Sequence, residues 1–169
     1  LAAAQKFVDQ GKIRYLGLSN ETPYGLSKYL HLSSTHKFPR VVSVQNPYSL
    51  INRTYEVGLA EMSVREKVGL LEYSPLAFGM LTGKYLNGQM PEGSRLKLYS
   101  KNFPRYQGTR SQLAVEEYYK IAQKYEMSLT QMSLAFVNMQ PFVDSNIIGA
   151  TNMKQLEENI DSIHIDLSD

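Results

Sequence analysis

Short apolar segments alternate with helical segments along this sequence, and this alternation limits the fold most strongly. Three apolar segments begin near residues 13, 41 and 68, so fewer than thirty residues separate one from the next. That interval fits one strand followed by one helix. A fourth segment, SNIIGA at 145–150, precedes a last helical pattern. Strands that alternate with helices pair in parallel, so we predict an α/β fold whose parallel sheet is covered on both faces.

Several α/β architectures fit this order of elements. No Gly-x-Gly-x-x-Gly motif follows any of the four strands, which argues against a Rossmann domain. A (β/α)8 barrel needs eight strand–helix units in ~250 residues, so the four units here correspond to half of such a barrel. A small flavodoxin-like sheet fits the same count nearly as well.

The remaining patterns give the individual elements. The patterns predict strands at 12–20, 40–47, 68–75 and 145–150, and helices at 1–10, 23–36, 54–66, 111–126, from 128 onward and at 152–160. Ser128 and Gln131 have the spacing of a capping box at the start of the fifth of these helices. The apolar positions predicted to be buried in the first and the last two helices are Ala3, Ala4, Phe7, Val8, Met132, Ala135, Phe136, Met139, Met153, Leu156 and Ile160. Residues 79–110 have no clear period and are predicted to form one long loop.

Composition excludes some classes of protein. The chain of 169 residues is 43% hydrophobic and 20% charged, which is typical of a globular domain with a core. A net charge of +2 gives no reason to expect nucleic acid or a membrane as a partner. The chain has no Cys, which excludes disulfides and thiolate metal sites and agrees with the cytoplasmic location that we predict. We predict no metal site. Because Leu1 is not Met and LAAAQKFVDQ reads as the middle of a helix, we expect a piece of a longer protein.

Polar and aromatic side chains follow three of the four predicted strands. Asn20 and Gln45 carry amides, which donate and accept hydrogen bonds as a bound carboxamide requires. Tyr73 offers a flat face for a heteroaromatic ring, and Lys84 and Arg95 offer positive charge for phosphates. Ligands of α/β proteins gather at the carboxyl ends of strands. These groups together favour a nicotinamide dinucleotide, although each residue taken alone has an ordinary structural explanation, such as a helix cap at Asn20.

Four longer motifs resemble one known family. The segments GKIRYLGLSN, VQNPYSLINR, EYSPLAFGMLTGKY and IIGATNMKQLEENI are similar to the second half of an aldo-keto reductase. The resemblance covers essentially the whole chain and is strongest to the branch that contains Tas-like reductases and the voltage-gated potassium channel β subunits. It implies the C-terminal half of a (β/α)8 barrel that binds NADP(H) at the carboxyl ends of its strands.

The resemblance also implies a role for each matching residue. Ser19, Asn20 and Gln45 would hold the nicotinamide carboxamide, and the ring of Tyr73 would stack on the nicotinamide. The residues implied along the pyrophosphate and toward the adenosine are Ser74, Pro75, Leu76, Lys84 and Arg95. The residues implied at the 2′-phosphate and the adenine are Thr151, Gln155, Glu158 and Asn159. Many relatives carry a cation where this chain has the neutral Gln155, so NAD(H) stays open beside NADP(H).

The catalytic residues of the family lie outside this sequence. They are an Asp, a Tyr, a Lys and a His from the first four strands of the barrel, and no Tyr here matches the catalytic motif. We therefore expect the parent protein to reduce aldehydes or ketones with NADP(H), and this chain alone to be inactive. We also expect the chain to pair with a missing N-terminal half or to self-associate. Residues 96–108 are expected to contribute a wall of the substrate site. The alternatives are a nucleotide-sensing regulatory subunit with little turnover, and an unrelated α/β binding domain without a cofactor.

Overall fold

The described part of the chain contains a four-stranded parallel sheet. The computed structural model describes residues 1–99 and 104–168. Its strands are β1 (Leu16–Ser19), β2 (Val41–Pro47), β3 (Gly69–Tyr73) and β4 (Val143–Ile147), and they lie in the order β1-β2-β3-β4. All three pairings are parallel. The predicted α/β class with a parallel sheet is therefore confirmed.

The consecutive strand order determines where the helices lie. A flavodoxin-like sheet has the order 2-1-3-4-5, in which the chain reverses direction across the sheet, and the order here has no such reversal. Right-handed crossovers that always step the same way place every connection on one face of the sheet. Leu16 and Leu18 pack against the core on that face, whereas Gly17 and Ser19 are exposed on the other. The prediction that both faces are covered is therefore wrong for the described residues.

Helices and short turns connect and flank the strands. The α-helices are α1 (Ala2–Asp9), α2 (Pro23–His36), α3 (Leu59–Glu66), α4 (Arg95–Tyr99), α5 (Thr109–Lys124), α6 (Leu129–Asn138) and α7 (Met153–Asp161). The 3₁₀ turns are Thr54–Val57, Ala77–Thr82, Leu86–Gly88, Pro104–Tyr106 and Ser162–His164. Among the described helices, none combines the length and the hydropathy that crossing a bilayer requires.

Side-chain caps mark the starts of α2 and α6. The hydroxyl oxygen of Thr22 accepts a hydrogen bond from the backbone N–H of Gly25 at 3.1 Å, and Pro23 occupies the first position of α2, where its missing N–H costs nothing. The predicted capping box of α6 is confirmed. The backbone N–H of Gln131 donates to the Ser128 hydroxyl, and the backbone N–H of Ser128 donates to the Gln131 side chain, both at 3.0 Å.

Two apolar cores stabilise the structure. The first lies between the sheet and helices α2 and α3, and its fully buried members include Leu26, Val44 and Leu70. The second lies between α5, α6 and the segment that follows β3, and it includes Leu81, Leu96 and Ala122. The segment predicted as a long loop at 79–110 thus contributes much of a core, although residues 100–103 lie outside the described part. Its helices are three to six residues long, too short to display a helical period.

Several predicted boundaries and faces differ from the structure. The predicted helix 54–66 divides at Gly58 into a 3₁₀ turn and α3. The last strand begins at Val143 and ends at Ile147, earlier than the SNIIGA segment indicated. Several apolar side chains predicted to be buried are instead largely exposed, because no described element packs over them: Phe7, Met139, Met153 and Ile160.

Candidate functional site

The carboxyl ends of the strands bring three predicted site residues to one face of the sheet. Ser19 pairs with Gln45, and Gln45 pairs with Leu71. Residues opposite one another on paired strands share a face, and so do residues two apart on one strand. Ser19, Gln45 and Tyr73 therefore project from the face that the described helices leave open, at the edge where the strands end.

A hydrogen-bonded group joins β1 to β3 at this edge. The Tyr73 hydroxyl donates to the Asn20 side-chain oxygen at 2.5 Å, and the Asn20 amide donates to the Ser19 hydroxyl at 3.1 Å. Asn20 has a left-handed backbone (φ 53°), and its N–H donates to the Gln45 carbonyl at 2.9 Å. The cap of α2 is Thr22, so the explanation of Asn20 as a helix cap is wrong. The Gln45 side chain has no hydrogen bond within the described residues.

A tight turn with an unusual backbone follows β3. Ser74, Ala77 and Phe78 have positive φ values of 64°, 46° and 58°. Such values are uncommon in residues with a Cβ, and clusters of them occur at ligand-binding and catalytic sites. Pro75 is buried and Leu76 is half-buried within the turn. The backbone immediately after Tyr73 is therefore bent sharply at the end of the strand.

Two basic side chains lie against this turn. The Lys84 side chain packs so close to Gly79 that an added Cβ would lie 2.9 Å from Lys84 Cε. The Arg95 guanidinium, at the start of α4, is 5.9 Å from the ring centre of Phe78. Lys84 and Arg95 are thus both close to the turn that begins at Ser74.

The four remaining predicted residues form a second group, on α7 and just before it. The Gln155 side-chain oxygen accepts from the Thr151 backbone N–H at 2.9 Å and from its hydroxyl at 3.0 Å. Glu158 accepts from the Ser128 hydroxyl at 2.5 Å, and the Asn159 amide donates to the Gly149 carbonyl at 3.3 Å. Glu158 is half-buried and Asn159 is buried.

The two groups share one edge of the sheet but do not touch. β3 and β4 are neighbours, and Tyr73 pairs with Ile147 just before the chain leaves β4 toward Thr151. No hydrogen bond within residues 1–99 and 104–168 links the Tyr73 group to the α7 group. An extended ligand, rather than a compact one, fits this separation.

Sequence reasoning missed Arg105, in the 3₁₀ turn before α5. The hydroxyls of Tyr106 and Tyr73 raise the pKa of Arg105. Tyr106 is buried, and its hydroxyl also accepts from the Asn52 amide at 3.1 Å. The stretch 96–108 that we expected to form a wall contains Arg105, but residues 100–103 of that stretch lie outside the described residues.

A buried acid on the opposite face, Glu72, was also missed. Glu72 is 0% exposed, and burial raises its pKa to about 9. One carboxyl oxygen accepts from the Tyr48 backbone N–H at 3.3 Å, and the other has no partner. Glu72 pairs with Asn46 on one side and Asn146 on the other. The sequence signal was an acidic residue inside the apolar run VGLLEY.

Within the described residues, no histidine lies at this edge of the sheet. The three histidines, His31, His36 and His164, are exposed on α2 and on the turn after α7. No group of three or more His, Asp or Glu side chains within the described ranges could hold a metal ion. The arrangement offers amide, hydroxyl, aromatic and cationic groups, which can bind and orient a ligand.

Comparison with known proteins places the chain in a family. The model of the Aldo/keto reductase family matches residues 1–169. "Protein tas" of Escherichia coli strain K12 is 54% identical over the whole chain, which covers 49% of that protein. An "Aldo-keto reductase" of Babesia bovis is 41% identical over 95% of the chain and 58% of the relative. A "Putative voltage-gated potassium channel subunit beta" of Schizosaccharomyces pombe is 30% identical over 95% of the chain and 48% of the relative.

These matches confirm the resemblance that the sequence motifs carry, including the branch. The chain spans about half the length of the curated relatives it matches. The Babesia bovis relative carries a reductase name. The chain belongs to the Aldo/keto reductase family.

Proposed function

We propose that this chain provides the cofactor-binding half of an NADP(H)-dependent reductase of aldehydes or ketones. Aldo-keto reductases generally use NAD(P)H, whose nicotinamide supplies or accepts the hydride. The observation that carries the proposal is the bonded group Ser19–Asn20–Tyr73, on one face and at one edge of a parallel sheet.

The Tyr73 group suits the nicotinamide. The Tyr73 hydroxyl occupies the Asn20 oxygen and so fixes the orientation of that amide. One Asn20 N–H bonds to Ser19 and the other is left for a carboxamide oxygen, while Gln45 can both donate and accept. A ring stacked on Tyr73 would then have its carboxamide beside these two amides.

The rest of the cofactor would extend along the same edge. The turn at Ser74, Pro75 and Leu76, with Lys84 against it, suits the pyrophosphate, and Arg95 suits the adenosine side. The Thr151–Gln155 pair, Glu158 and Asn159 suit the 2′-phosphate and adenine. These last side chains already bond to one another or to neighbouring residues, so a bound nucleotide would exchange those hydrogen bonds for its own. Because Gln155 is neutral, the preference for NADP(H) over NAD(H) has to be measured by titration with each of the two cofactors.

The proposed architecture is the C-terminal half of a (β/α)8 barrel. The consecutive strand order with helices on one face is the arrangement of a barrel wall. β1 and β4 each have one neighbour within the described sheet, so each leaves an edge to be paired. A preceding N-terminal half, or a second copy of the chain, would pair these edges, and the N-terminal half would supply the catalytic residues. The cytoplasmic location stays a prediction.

Calorimetric titration with NADPH tests the cofactor site. We expect Tyr73→Leu to weaken NADPH binding about tenfold, since stacking of a base on an aromatic side chain is worth ~1–3 kcal/mol. Tyr15→Leu is the matched control, because Tyr15 is 74% exposed and precedes β1, at the opposite edge of the sheet. Equal dissociation constants for wild type and Tyr73→Leu, or no binding by wild type, would contradict the proposal and favour a domain without a cofactor.

Turnover distinguishes the second candidate function. The channel β subunit among the relatives favours a nucleotide-sensing subunit that binds NADPH and turns over little. We expect the full-length protein to oxidise NADPH with simple aldehydes and this chain alone not to do so. Reduction of an aldehyde by this chain alone would contradict the division of roles, and NADPH binding without turnover by the full-length protein would favour the sensor.

A further inference from the structure

Hydrogen-bonded polar side chains connect β4 and α6 to the end of α7. The Asn146 amide on β4 donates to the Asn138 side-chain oxygen at 3.0 Å, and the Asn138 amide donates to the Ser162 hydroxyl at 3.2 Å. The Ser162 hydroxyl in turn donates to the Asn159 backbone carbonyl at 2.7 Å. These three side chains, Asn146, Asn138 and Ser162, are here called the Asn138 network. The network joins the sheet to the helix that carries residues proposed to bind adenine.

The direction of each hydrogen bond in the Asn138 network follows from the last acceptor. A backbone carbonyl only accepts, so the Ser162 hydroxyl donates its single proton to Asn159. Ser162 then accepts from Asn138, whose amide nitrogen has to face it. The Asn138 oxygen is left for the Asn146 amide, and the Asn146 oxygen has no partner within the described residues. Asn138 therefore acts as both donor and acceptor.

Helix α7 has little apolar surface that could fix its position. All nine residues of α7 are described, and Asn159 is the buried one among them. Of its apolar side chains, Leu156 is half-buried, whereas Met153 and Ile160 are more than half exposed. Ser162, which ends the helix, is 2% exposed. Because so little apolar burial holds α7, the hydrogen bonds at Ser162 have a large share in placing its last turn.

We propose that Asn138 is a positioning residue for the adenine end of the cofactor. It holds the last turn of α7 through Ser162, and that turn carries Glu158 and Asn159. Side chains that are already in place need no ordering when the ligand arrives, so the affinity is higher. The inference rests on the proposed function, which assigns Glu158 and Asn159 to the adenine.

The test uses the full-length protein that contains this chain, with the variants Asn138→Ala, Ser162→Ala and the combination of both. Each is titrated with NADPH, or with NADH if the wild type binds NADH more tightly, since adenine is common to both. Nicotinamide fluorescence gives the dissociation constant, and the emission spectrum at saturation reports the surroundings of the nicotinamide ring. Gln140→Ala is the matched control, because Gln140 is also half-buried, lies just after α6, and donates its amide to the Phe136 carbonyl at 2.9 Å.

We expect Asn138→Ala to raise the dissociation constant about fivefold, which is the size of one net hydrogen bond. The emission spectrum at saturation should stay that of wild type, because the nicotinamide is proposed to lie at Tyr73, outside the Asn138 network. Ser162→Ala should have a similar effect. The double variant should bind no more weakly than either single variant, since both substitutions remove the same connection. The test stands if only one of the single variants folds.

Three results would overturn the inference while leaving the proposed function intact. The first is a dissociation constant for Asn138→Ala within twofold of that for Gln140→Ala. The second is additive losses in the double variant, which would show that Asn138 does not act through Ser162. The third is an altered emission spectrum at saturation, which would show a general loosening of the fold. Failure of the wild type to bind either NADPH or NADH would overturn both the inference and the proposed function.

Discussion

The buried acid Glu72 should make the protein less stable as the pH rises. Its folded-state pKa of about 9 is above the ordinary value of 4.5 because burial penalises the charged form. A raised pKa means that the folded state holds the proton more tightly than the unfolded state. The free energy of unfolding is then highest below pH 4.5 and falls as the pH rises from 4.5 toward 9.

The structure gives the size of this effect. Each pH unit in the window costs about 1.4 kcal/mol, so the loss is about 3 kcal/mol by pH 7 and about 6 kcal/mol by pH 9. These values are upper limits, since water penetration and relaxation reduce the penalty. The neutral carboxyl also fits its surroundings, because the unpartnered Glu72 oxygen and the unpartnered Asn146 oxygen lie on paired positions of neighbouring strands.

Glu72→Gln removes this pH dependence while it keeps the shape of the side chain. A glutamine can accept from the Tyr48 N–H and donate to Asn146, so we expect the variant to equal wild type at pH 4.5 and to exceed it by up to about 3 kcal/mol at pH 7. Urea denaturation followed by circular dichroism between pH 4.5 and 9 measures the difference, with the exposed Glu157→Gln as the control. Parallel curves for wild type and Glu72→Gln would refute a neutral buried carboxyl.

Two further perturbations test the local structure. Gly79→Ala should weaken NADPH binding and lower the free energy of unfolding by about 1–2 kcal/mol, because Gly79 has φ +96° and the new Cβ would displace Lys84. Gly88→Ala is the control for backbone strain alone, since Gly88 has φ +73° and no atom lies within 4 Å of an added Cβ. Equal losses of NADPH binding in the two variants would contradict the role of Lys84. Ser128→Ala should cost about 1 kcal/mol in thermal denaturation because it removes the capping box with Gln131, and an unchanged melting temperature would show that the cap is dispensable.

Local patterns in the sequence predicted most elements of the fold. The alternation of apolar and helical segments identified the four strands, and the Ser128–Gln131 spacing identified the start of α6. The predictions from sequence were wrong where the apolar residues follow no helical or strand period. The segment after β3 buries Leu81, Leu96 and Tyr106 through irregular short turns, and such packing depends on contacts with α5 and α6 rather than on neighbours in sequence.

The residues of the candidate site also divide into those that the sequence predicted and those that it did not. The side chains that follow the strands, Asn20, Gln45 and Tyr73, were identified because the carboxyl ends of parallel strands meet at one edge. Arg105 and Glu72 were missed because their properties depend on surroundings. The hydroxyls of Tyr106 and Tyr73 raise the pKa of Arg105, and burial raises the pKa of Glu72.

The sequence by itself determined the family, the strand–helix alternation and the residue types at the strand ends, since these depend on composition and order along the chain. Tertiary structure alone decided the consecutive strand order, the open face of the sheet and the burial of Glu72. The physical reason is that burial and hydrogen bonding between distant residues depend on three-dimensional packing, which no short window of sequence contains.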